Sequence, residues 1–221
     1  MQAEPATLPH RPSRGGRPPA AQAGDVDRRI LDAAAAIFLQ HGFDGTSCEQ
    51  VVAQAGAGKA SLYARYANKE ELFVAVVRDQ VERVQTPSPA FAPDLPLDAR
   101  LRAVGQEILA HALRPDQIAL MRMVLSIGHR MPDVARLADR TARDRAVRRV
   151  AEAIVGEVPA ASEAVQQAWP VAAKFVELVL APNQMRVLLG EDPGELTGRA
   201  GSIVNEAVDL LAKGNRLIRW E

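Results

Sequence analysis

The chain has 221 residues, 48% of them hydrophobic, and its 27 basic side chains are balanced by 27 acidic ones. Such a length holds one large domain or two small ones, and zero net charge excludes a global attraction to nucleic acid, leaving only local basic patches for that role. Aromatics are scarce and almost no stretch alternates with period two, so the expected class is all-α. No apolar run is long enough to span a membrane and the N-terminus lacks a secretory apolar core, which makes a cytoplasmic protein the expectation.

Residues 1–23 are rich in Pro, Ala, Gly and Arg without periodicity, the composition of a disordered basic arm. Arg11, Arg14 and Arg17 are spaced along it with Glu4 as the lone acid. It is either a minor-groove arm or an idle tail. From Asp25 the pattern turns helical: Val26, Ile30, Ala33, Ala34, Ile37 and Phe38 form a stripe, Asp25 and Asp27 fall in the first turn, and His41-Gly42 closes it.

Residues 46–69, TSCEQVVAQAGAGKASLYARYANK, organise what surrounds them. Thr46 and Ser47 are each followed three residues later by Glu49 and Gln50, the capping-box spacing. Val51, Val52 and Ala55 give an inner face, and Gly56 stands where a helix ends in positive φ. Only Ala57 and Gly58 separate it from the next helix, so the pair should cross steeply as a helix-turn-helix whose second helix suits the DNA major groove. On that helix Leu62 and Tyr66 share an inward face, leaving Lys59, Ser61, Tyr63 and Arg65 for base edges and phosphates. Asn68 caps a further helix with Lys69 at its start, where a phosphate is already favoured. Lone Cys48 excludes an intrachain disulfide; it is a small residue tolerated near DNA or, less simply, a redox sensor.

The run FDGTSCEQVVAQAGAGKASLYARYANKEELF, preceded by RRILDAAAAIFLQHGF, closely resembles the N-terminal DNA-binding domain of the tetracycline-repressor (TetR) family, over roughly residues 26–85. The resemblance implies DNA contacts at Lys59, Ser61, Tyr63, Arg65 and Lys69, with Thr46 or Ser47 at the phosphate-contacting helix start. Gly58, Arg65 and Ala67 depart from the family's frequent Ser, aromatic and Pro, so the operator is not transferable.

The domains expected are the arm, a three-helix DNA-binding domain over 24–85 with its helix-turn-helix at about 47–66, and a C-terminal helical ligand-binding and dimerisation domain over 97–221. Pro87, Pro89, Pro93 and Pro96 mark the boundary after a connecting helix that ends near Val84. Beyond it five helical stretches are expected: 97–113, 115–127, 132–155, 170–181 with a kinked turn from Ser162, and about 195–213. The last two are apolar over more than one face, as a partner-packed helix is, and a twofold dimer would set two reading helices about 34 Å apart. The family's dimer uses its last two helices, and the fragment LMRMVLSIGHRMPDVARL extends the resemblance.

By the same resemblance the C-terminal half holds a small effector, and the mostly apolar candidate residues make an apolar, aromatic or lipophilic one the expectation. Gln117, Met121, Met123, Leu125, His129, Trp169, Phe175 and Met185 are candidates for its wall, against the plainer reading that such residues fill the core. The expected function is a homodimeric repressor released from its double-stranded operator by that ligand, without metal or cofactor. An enzyme is disfavoured because the four histidines are dispersed, with no HExxH, CxxC or phosphate-binding glycine loop. A helical ligand carrier or interaction module remains the alternative, and the basic hydroxylated helix at 59–65 is what such a carrier would not need.

Overall fold

The computed structural model describes residues 20–83, 94–156, 162–214, 216–217 and 220, with the side chains of 20–23 and 82 left aside. Every regular element among them is a helix: α1 (Ala20–His41), α2 (Cys48–Ala55), α3 (Lys59–Tyr63), α4 (Lys69–Arg83), α5 (Leu97–Ala112), α6 (Pro115–Ile127), α7 (Pro132–Val155), α8 (Glu163–Leu188), α9 (Pro193–Gly198) and α10 (Ala200–Lys213).

α1 starts at Ala20 rather than at Asp25: AAQA is a run of good helix formers, and the helix continues through Gly24. Residues 20–23 therefore belong to α1 and not to the arm, and Asp27 sits well inside the helix instead of in its first turn. α2 is bounded as its sequence dictates. Ser47 Oγ accepts the Gln50 N–H at 3.2 Å while Gln50 Oε1 accepts the Ser47 N–H at 2.8 Å, so of the two possible capping boxes this one forms. At the other end Gly56 takes φ 59°, ψ 36°, a conformation that glycine adopts without a Cβ penalty, and the next helix leaves at Lys59. α4 is capped by Asn68, whose Oδ1 accepts the Glu71 N–H at 2.8 Å.

Ile30, Ala34 and Phe38 from α1, Val51 from α2, Leu62 from α3 and Leu72, Phe73 and Val76 from α4 close the first core. At its centre Phe38, Phe43 and Phe73 meet, with Phe73 edge-on to the other two at 5.0 and 5.2 Å between ring centres. This core does not stop at the proline-rich boundary: Met123 and Ile127 of α6 and Ala138 of α7 are buried in it. The prolines at 87, 89 and 93 lie outside the described residues; Pro96 immediately precedes α5.

The second core joins α5, α7, α8 and α10, with Leu101, Val150, Phe175, Val179 and Val204 inaccessible at its centre. Two expectations are revised here. α8 runs continuously from its Ser162 cap through Pro170 and Pro182, because Ala168, Ala172, Phe175, Val176 and Val179 bury one face across the missing N–H groups. The last expected helix is two, since Asp192 caps a short α9, accepting the Glu195 N–H at 2.9 Å, and the chain reorients at Arg199 before α10. No described helix is long and apolar enough to cross a membrane.

Where α5, α8 and α10 converge, Gly105 lets the backbones close up. A Cβ there would lie 2.6 Å from Val204 Cγ1 and 2.8 Å from Phe175 Cζ. Both neighbours are held in the core, so Gly105→Ala should lower the free energy of unfolding by about 1–2 kcal/mol, the usual cost of an overpacked methyl less the helix-propensity gain of alanine. Urea unfolding of the two proteins measures this, and an unchanged or raised midpoint would contradict the convergence.

Candidate nucleic-acid interface

The short α3 and the three residues after it present two kinds of surface. Leu62 is fully buried against α1 and α2, Ser61, Arg65 and Tyr66 are half-buried on the flank, and Lys59, Ala60, Tyr63 and Ala64 are exposed. The outward strip is therefore a cation and a phenol separated by small residues, which allows close approach to a groove.

Lys59 and Glu49 join the N-terminal ends of α3 and α2, with Nζ 2.9 Å from Oε1. The hydrogen bond from Lys59, with a backbone N–H and the cation's charge behind it, holds the Glu49 carboxyl below the usual range; the same hydrogen bond raises Lys59. Tyr63, 48% exposed, stands beside Cys48; that sulfur, then burial and Glu49, push its hydroxyl pKa up and keep it a neutral donor. The structure thus brings Cys48, Glu49, Lys59 and Tyr63 to one outer face.

Other expected contact residues are engaged elsewhere. Thr46 is buried, and its hydroxyl donates to the Gly42 carbonyl at 2.7 Å, so the side chain at the exposed start of α2 is Ser47. Arg65 lies beyond the end of α3. Its Nη1 donates to the Ser61 carbonyl at 2.8 Å, and its Nε lies 3.4 Å from Asp27 Oδ1, which also accepts the Tyr66 hydroxyl at 2.9 Å. Burial, then that hydrogen bond, keeps the Tyr66 phenol well above its ordinary pKa, so it donates at every relevant pH. Lys69 is a clamp: Nζ donates to the carbonyls of Phe43 and Thr46 at 2.9 and 3.0 Å and sits 4.5 Å from the centre of the Phe43 ring. Arg130, from the α6–α7 turn, stacks on the same ring at 5.0 Å and pairs with Asp44 at 2.7 Å. Neither clamp was visible in the sequence, because the partners lie 23 to 86 residues apart. Arg11, Arg14 and Arg17 lie outside the described residues.

The candidate effector wall is not gathered in one place. Met123 is buried in the first core and Phe175 in the second. Trp169 packs half-buried against the second core, Gln117 and Met121 are half-buried, and Leu125, His129 and Met185 are exposed. Two cavities, of about 580 and 310 Å³, are lined by other residues: the larger by α5 and the two residues before it, α10, Leu217 and Trp220, the smaller by Val77, Arg78 and Val81 of α4 with Leu137, Ala138 and Thr141 of α7. The expected wall followed apolar spacing on α6 and α8, and that spacing is what core packing also requires.

Residues 30–76 match the family model for bacterial regulatory proteins of the tetR family, and residues 99–213 match that for the C-terminal domain of AefR-like transcriptional repressors. The chain belongs to the TetR family of transcriptional regulators. Among relatives of this TetR-family chain, the HTH-type transcriptional regulator RutR of Escherichia coli K12 is 32% identical over 110 residues, 50% of this chain and 44% of that protein. The chain thus spans less than half the length of that relative. The HTH-type transcriptional repressor SCO4008 of Streptomyces coelicolor is 42% identical over 53 residues, 24% of this chain and 28% of its own. Of solved structures, the flavonoid-responsive regulator FrrA superposes with a TM-score of 0.64 at 25% identity, covering 86% of this chain and 97% of its own. A TetR transcription regulator of Haloarcula marismortui reaches 0.65 at 17% identity, covering 85% and 98%, and shows the shared fold.

If the α3 strip faces DNA, Glu49 both repels phosphate and competes for Lys59. Glu49→Gln should tighten binding to non-specific duplex several-fold at low salt, with the gain fading as salt rises. Fluorescence anisotropy of both proteins on one labelled duplex checks this; unchanged or weaker binding by the variant would place the strip away from DNA.

Proposed function

We propose that this TetR-family chain is a homodimeric repressor that reads a twofold operator through α3 and leaves it when a small molecule binds the C-terminal helices. The observation that carries the reading is the exposed Lys59–Tyr63 strip, packed on α1 and α2 through buried Leu62 within a chain of regulator ancestry. A single five-residue helix spans too few base pairs for a specific site, and twofold pairing supplies the second. The exposed Met185 and Leu189 at the end of α8 and Leu210 on α10 favour pairing through those two helices.

In this reading residues 24–85 are the reading head and 97–221 the regulatory part. Ser47, Lys59 and Tyr63 touch DNA directly; Ser61 and Arg65 flank the strip, and Thr46 and Lys69 set its position. The arm with Arg11, Arg14 and Arg17 extends the footprint, and the protein acts in the cytoplasm. FrrA's name describes a flavonoid-responsive regulator, which supports a small-molecule effector here. Coupling has a physical route. α4 and α6 pack on α1, and Arg130 ties the α6–α7 turn to Phe43 and Asp44, so a ligand that prefers another packing of the C-terminal helices moves the reading head. Ancestry among regulators disfavours the enzyme reading.

The test is a salt series of binding to DNA from the chain's own upstream region. Wild type should bind tightly and lose affinity steeply with salt, and Lys59→Ala should bind more weakly with a slope reduced by about one. Absence of binding at low salt, or identical curves, would overturn the reading and favour a ligand carrier.

A further inference from the structure

The larger cavity opens where the start of α5 meets the last turns of α10 and the residues Leu217 and Trp220. At about 580 Å³ it falls in the size range of small-molecule sites. Leu97, Val208, Leu217 and Trp220 give it apolar walls, and Arg100 and Arg102 give it charge.

The two arginines differ in kind. Arg102 is satisfied: it pairs with Asp209 at 3.1 Å, lies 3.7 Å from Asp98, and donates to Asn205 Oδ1. Asp98 and Asp209 are the two acids that line the cavity, so both are engaged on Arg102. Arg100 is 9% exposed, its Nε has no hydrogen-bond partner, and its Nη2 makes one long bond of 3.4 Å to the Ile154 carbonyl. Among the described residues no carboxylate lies within ion-pair distance of it. The end of α7 makes room for this guanidinium: Gly156 has φ 90°, and a Cβ there would lie 2.6 Å from Arg100 Nη1. A guanidinium cannot shed its proton, so a buried one without an anion is unfavourable as it stands.

We propose that this cavity binds an amphipathic carboxylate, a small organic acid whose head pairs with Arg100 and whose alkyl or aryl body lies on Leu97, Val208, Leu217 and Trp220. Guanidinium and carboxylate match as two parallel hydrogen bonds, so the site discriminates an acid from its amide by charge and geometry together. The site lies apart from the α6 and α8 residues expected to hold an effector. It does not depend on the DNA-binding reading, because occupancy is measured on the free protein.

Isothermal titration of the full chain with octanoate and with 4-phenylbutyrate, each beside its neutral amide, tests the proposal. The expected result is saturable binding of one acid per chain, amides at least tenfold weaker, and at least a tenfold loss of acid affinity in Arg100→Met. That variant removes a buried charge for an apolar side chain and should keep a cooperative thermal transition; should it not, the acid-over-amide preference of wild type decides alone. Lack of saturable binding by either acid, equal affinity for acid and amide, or full acid affinity in a folded Arg100→Met would overturn it.

Discussion

The ring of Phe43 and the two cations stacked near it hold the molecule's parts in register. Phe43 is buried against Phe38 and Phe73, which fastens the α1–α2 turn to α1 and α4. Lys69 approaches the ring from the start of α4 and bonds two carbonyls of the same turn; Arg130 approaches it from the α6–α7 turn. One short loop is thereby bonded to the helix-turn-helix, to the connecting helix and to the C-terminal half. The two part-buried charge-assisted bonds of Lys69 are the stronger part of this junction, roughly 1.5–3 kcal/mol each at most, while the exposed Arg130–Asp44 pair adds about 1 kcal/mol or less.

From that junction the rest follows in order. α2 is oriented because the turn before it is fixed, α3 because only Gly56, Ala57 and Gly58 separate it from α2, and the exposed Lys59 and Tyr63 because Leu62 must face inward. The flank of α3 is tethered in turn by Asp27, which takes both Tyr66 and Arg65. Arg130 joins the α6–α7 turn to this same α1–α2 turn, and the proposed coupling between effector and reading head runs through that contact.

Local features were legible from the sequence because their causes are local. The Ser47 capping box, the Gly56 stop, the Asn68 cap and the proline starts of α6 and α7 each depend on residues within four positions. What escaped was decided at a distance. Lys69 and Arg65 are expected at DNA from their type and place, and the sequence does not reveal that they also bond Phe43 and Asp27, which lie far back in the chain. Pro170 looked like a helix start because the packing of Phe175 and Val179 that carries α8 through it has no signature at the proline itself. Arg100 carries no sequence signal that separates it from Arg102, the other arginine of α5; its burial beside Gly156 is what sets it apart.

In the proposed dimer two α3 helices read one operator. Methylation interference on DNA from the chain's own upstream region addresses it most directly, because a helix in the major groove is blocked by a methyl group at guanine N7. The expected result is two patches of interference about 10 base pairs apart, one helical turn, on one face of the duplex. A single patch, or binding indifferent to N7 methylation, would contradict it.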